Sequence, residues 1–161
     1  MPKIVYDVED LLDDIQAFVK ANLNTIIDEI NSEKDDGIDL KHVDNDAYFM
    51  QELNSKQANY NPFILFGVSN IETISNGYDA AANISIEVIL IFEDTNGLEA
   101  NIPRLAFRYN RALRDVIRNN WSQRVQAGKL VMEDLLPVPY TSLNNSKKTR
   151  ATGVKIITSI A

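Results

Sequence analysis

The chain has no cysteine and a single histidine in 161 residues, and these two absences remove most catalytic and metal chemistry at once. Without thiols there is no disulfide framework, no cysteine nucleophile, no thiolate zinc site and no iron–sulfur ligation, a composition that suits a reducing cytoplasm. The lone His42 has no companion ligand set, and its neighbours Asp39, Asp44 and Asp46 lie in a polar turn region. The acids of residues 33–46 lack the ligand spacing and distant bidentate Glu of a calcium loop. Gly128-Lys129 lacks the earlier glycine of a phosphate loop, and neither G-x-S-x-G nor G-x-G-x-x-G occurs. No catalytic residue, cofactor site or metal site is therefore expected, and the reading is non-enzymatic. No apolar run approaches the roughly 20 residues that cross a bilayer. Met1–Asp7 holds too few apolar residues before its acidic run to make a signal peptide, so no membrane association is expected.

Arginine is missing from the first 100 residues altogether. Basic against acidic residues number 4 to 14 over residues 1–53, 1 to 6 over 54–100 and 11 to 3 over 101–161, for local charges of −10, −5 and +8. The chain is a charge dipole along its sequence, which suits head-to-tail association of copies into a closed ring. Its net charge of −7 opposes free, non-specific binding to nucleic acid.

The basic end is concentrated in Arg104, Arg108, Arg111, Arg114 and Arg118, which fall within about 120° of one helix face. Leu105, Ala106, Tyr109, Ala112, Leu113, Val116, Ile117 and Trp121 make the opposite, apolar face. Arginine to the exclusion of lysine points to paired carboxylates or phosphates, because its planar fork binds both bidentately. Three readings stand side by side: a solvated surface, a contact with the acidic helix of a neighbouring copy through Asp10, Asp13 and Asp14, or a surface for nucleic-acid phosphate. Lys147, Lys148 and Arg150, in the polar loop Ser142–Arg150, form a second basic cluster and a candidate docking loop.

Apolar periodicity predicts a first helix over about 7–32, capped by Asp7 with Asp10 three residues on, and a turn at Gly37 with positive φ. Strands are expected at 47–51, 62–68 and 83–92. The arginine helix is expected over about 101–121, with Asn101 as cap and Pro103 in its first turn. An irregular proline-bearing stretch around 135–140 and a last strand over about 151–160 complete the chain. This order suggests a single α+β domain over residues 1–161, a two-layer fold with two amphipathic helices packed on one face of a mostly antiparallel sheet.

Several segments together, Tyr6-Asp7-Val8-Glu9-Asp10-Leu11 opening a long helix, Tyr48-Phe49, Pro62-Phe63-Ile64-Leu65-Phe66-Gly67-Val68, a strand ending in Glu93-Asp94, and Arg104-Leu105-Ala106-Phe107-Arg108-Tyr109-Asn110-Arg111-Ala112-Leu113, carry a resemblance. The chain resembles the small tail-completion proteins of long-tailed bacteriophages, in particular tail terminators. The resemblance implies a homo-oligomeric ring, commonly a hexamer, that caps the tail tube, halts its growth and offers a surface to the head-side connector. It further implies contact with the tail tube protein, passage of DNA through the lumen, and residence in the virion neck after assembly in the host cytoplasm. A head-completion or connector protein of the neck, and a non-viral module that binds an acidic partner through the arginine face, are the alternative readings.

Overall fold

The computed structural model describes residues 6–50, 59–75, 80–93, 101–125, 127–134 and 149–160. Helix α1 spans Val8–Lys34 and begins in a capping box: the Asp10 amide donates to Asp7 Oδ1 at 2.9 Å and the Asp7 amide to Asp10 Oδ2 at 3.0 Å. That box satisfies two backbone donors that the first turn cannot. The helix buries Leu11, Ile15, Phe18, Val19, Leu23, Ile26, Ile27 and Ile30, the stripe its periodicity implies. Each such side chain contributes about 1.5–3 kcal/mol relative to exposure. It ends at Asp35, in the left-handed conformation at φ 38°, and Gly37 follows at φ 79°.

Among the described residues five strands form one sheet of order β1-β2-β3-β5-β4, with β1 at Tyr48–Phe49, β2 at Phe63–Ser75, β3 at Ala80–Glu93, β4 at Val131–Asp134 and β5 at Thr149–Ile160. Only β1 and β2 run parallel; every other pairing is antiparallel. Helix α2, Ile102–Arg124, connects β3 to β4. Its eight expected core residues are all buried. The fold is thus the expected α+β arrangement, helices on a mostly antiparallel sheet.

Alternation along the central strands selects the face that the helices cover. Ile84, Ile86, Val88 and Leu90 are inaccessible, and Phe92 on the same face meets the Tyr109 ring at 5.2 Å. Val154 and Ile156 continue this face on β5, where Asn110 Nδ2 of α2 donates to the Gly153 carbonyl at 3.1 Å. The two helices lie antiparallel, since Glu33 of α1 meets Arg111 of α2 while Asn22 meets Asn120.

Four boundaries differ from the sequence expectations. Strand β2 continues past Val68 to Ser75, and β4 forms at 131–134, where no element was expected. Strand β5 begins at Thr149, so Arg150 is a strand residue and not part of a loop; Lys147 and Lys148 lie outside the described residues. Asn101 makes no side-chain cap, because its backbone is already helical at φ −85° and ψ −17°, whereas a capping residue needs extended backbone. Pro103 sits in the first turn, as expected.

Candidate subunit interface

The arginine row of α2 runs beside the C-terminal half of α1, and most of it is engaged there. Arg108 is buried: its guanidinium holds both carboxylate oxygens of Asp36, with one contact at 3.0 Å, and also donates to the Ile38 carbonyl. Arg111 forms a fork on Glu33 at 3.0 and 2.7 Å and reaches Asp115 at 3.6 Å. Arg114 donates to Asn110 Oδ1 at 3.0 Å and pairs with Asp134 on β4, which ties the helix to the sheet edge. Bidentate geometry of this kind is what arginine supplies and lysine does not.

These pairs shift the titration of their members. The Arg108 guanidinium, followed by the backbone amide of Ile38, holds the Asp36 carboxyl well below the usual carboxylate range. Arg111 does the same, less strongly, to Glu33, and both arginines are raised in return.

The carboxylates expected to meet this face from a neighbouring copy lie at the opposite end of α1. Asp10 belongs to the capping box, Asp14 accepts the Tyr6 hydroxyl at 2.7 Å, and Asp13 is exposed. Within the chain the arginines pair with Glu33 and Asp36, because the antiparallel helix pair brings the end of α1 against the start of α2, and with Asp115 and Asp134. Arg108, Arg111 and Arg114 are consequently structural ties as well as surface charges.

What remains uncommitted is narrower. Lys34, Arg104, Phe107, Arg108 and Arg111 line an open hollow of about 290 Å³. Four cations there share Glu33 and Asp36. Arg104 reaches Asp36 only at 3.7 Å and Lys34 reaches Glu33 only at 3.8 Å, since each carboxylate is already held by another arginine. Phe107 stands 61% exposed among them, an aromatic that the helical periodicity places on the arginine side. Arg118 is exposed and has no ion-pair partner among the described residues. At the other end of α1, Asp7, Glu9, Asp10 and Asp13 are exposed and form no ion pair among the described residues. A helix of 27 residues sets the two ends about 40 Å apart.

Sequence reasoning missed a set of asparagines that fix the segment after α1. Asn31 pairs with Leu40 through both backbone groups, at 3.0 and 2.8 Å, and Asn24 grips Val43 in the same way, at 3.0 and 2.8 Å. Their spacing of seven on one helix face was the available signal. His42 lies beside this segment with Nε2 2.6 Å from Asp28 Oδ1, an exposed pair. Among the described residues no group of three His, Cys, Asp or Glu side chains could hold a metal ion, and no helix is long and apolar enough to cross a membrane.

No protein-family model matches the chain, and no curated protein matches it either.

Proposed function

We propose that the protein is a non-enzymatic structural subunit of a bacteriophage tail, a tail terminator whose copies close into a ring on the end of the tail tube. The observation that carries this reading is the two-ended surface. An acidic turn without an ion pair among the described residues opens α1, and about 40 Å away an arginine-lined hollow with an exposed phenylalanine closes it. Unlike ends on one molecule favour a heterologous contact, which closes into a ring when the rotation between copies allows. The α+β layout agrees with the resemblance that the sequence carries. In such a ring the surfaces above and below serve the tail tube protein and the head-side neck protein, and the exposed Arg118 and Arg104 have charge to spare for a neighbour or for DNA in the lumen. Each exposed ion pair adds only about 0–1 kcal/mol, so charge sets direction while backbone and apolar contacts hold the ring. Adding the purified protein to polymerising tail tube protein of the same phage tests the role. Tubes that stop lengthening, with a ring at one end, are expected; unaltered elongation contradicts it.

A further inference from the structure

Strand β2 is two strands in one. Among the described residues strand β1 pairs with its outer edge at Ile64 and Leu65, and Phe63–Phe66 are buried. From Gly67 to Thr73 every residue is exposed, and β3 is its neighbour on one side only among the described residues. The pairing slips between Val68 and Asn70, so that Val68 stands opposite Ile86 and Ile71 opposite Ile84. Both partners are wholly buried under the helices. The bulge at Ser69 therefore keeps Val68 and Ile71 on the core face, where strict alternation would have turned Ile71 outward. Yet Val68 is 37% and Ile71 52% exposed. The apolar face of the sheet continues to an edge that no other described residue pairs with.

The opposite edge of the sheet is β4, where Val131 is 45% exposed. Followed across the ladders, Val131 is level with Ile157, Ser85 and Asn70, and Met132 with Ile156, Ile86 and Val68. These two edges, each without a further strand among the described residues, thus lie at the same height. Because β2, β3, β5 and β4 alternate in direction, β4 runs antiparallel to β2. A second copy set beside the first in the same orientation brings its β4 against the free half of β2 in antiparallel sense. Continuing the register from Val131 opposite Asn70 sets Leu130, partly buried against the core, opposite Ile71. It sets Lys129 opposite Glu72. Lys129 and Glu72 are both exposed, opposite in charge, and without an ion pair among the described residues. The backbone before Lys129 is fixed, since the Gly128 amide donates to Ser159 O at 2.8 Å and the Gly128 carbonyl accepts from Trp121 Nε1 at 3.0 Å.

We propose that the sheet runs on from one copy of the chain to the next, with β4 of one subunit adding to the Gly67–Thr73 edge of its neighbour and Lys129 facing Glu72. This rests on the ring reading and names its contact. Unpaired strand edges are templates for another chain, and 67–73 holds neither lysine nor proline to oppose such pairing. Backbone hydrogen bonds and the Leu130–Ile71 contact hold the joint, and the cross-strand charge pair selects the register.

The test compares Glu72→Lys, Lys129→Glu and the double variant with the unaltered protein by native mass spectrometry over a dilution series. Both positions are exposed, so equal thermal midpoints will show that all four proteins fold. Each single change places like charges opposite one another and is expected to raise the concentration for half-assembly several-fold; the double change restores it to within about twofold. A persisting ring indifferent to both changes, or a double variant no better than the singles, overturns the sheet joint and leaves the ring reading standing. A discrete dimer sensitive to Glu72 alone overturns it in favour of two β2 edges meeting about a two-fold axis. An unaltered protein that stays monomeric throughout overturns both.

Discussion

Arg108 is a buried guanidinium of α2, and three hydrogen bonds to Asp36 and Ile38 satisfy it there. Replacing it with leucine keeps the apolar stem but leaves the Ile38 carbonyl without its partner. A loss of about 1–3 kcal/mol in urea-unfolding free energy is expected. The same contact predicts a pH dependence. Asp36 and Glu33 titrate lower in the folded chain than when unfolded, so the stability they add is present above the ordinary carboxylate range and is lost as pH falls through it. Thermal midpoints should be level through neutrality and fall below about pH 4, and the fall should be smaller in Arg108→Leu, where Asp36 has lost its chief perturbation. The arginine spacing was plain in the sequence. Its partners were not, because Asp36 and Arg108 are 72 positions apart and only the antiparallel packing of two helices joins them.

At the scale of elements, the long periodic segments were the most legible. The buried stripe of α1, the Asp7–Asp10 cap, the positive φ at Gly37 and all eight core residues of α2 follow from spacing and local chemistry. The second half of β2 was not legible, since Gly67-Val68-Ser69-Asn70-Ile71-Glu72-Thr73 reads as a polar stretch unless the bulge at Ser69 is known. Strand β4 is four residues long and becomes a strand only through β5, which no local signal announces. The segment after α1 was taken for a simple polar turn, whereas Asn24 and Asn31 hold it by paired amide contacts that imitate a backbone ladder. Asn31→Ala removes both bonds to Leu40 and is expected to cost about 1–2 kcal/mol. Amide hydrogen exchange at Leu40 should accelerate in that variant more than exchange in β3.

For the molecule as a whole, a net charge of −7 conceals a division between an acidic first third and a basic last third. Folding cancels part of that division, by laying the end of α1 against the start of α2, and among the described residues leaves charge at the two ends of α1 and on Arg104 and Arg118. A chain whose charges were all spent internally would have little reason to meet its copies in one direction. This one retains an acidic turn, a basic hollow and two sheet edges at matching height, all of them unlike pairs. Head-to-tail closure is therefore the central claim, and negative-stain electron microscopy of the purified protein, at micromolar concentration and low salt, tests it most directly. The account predicts closed rings of one size with a central hole; a field of monomers or two-fold dimers would contradict it.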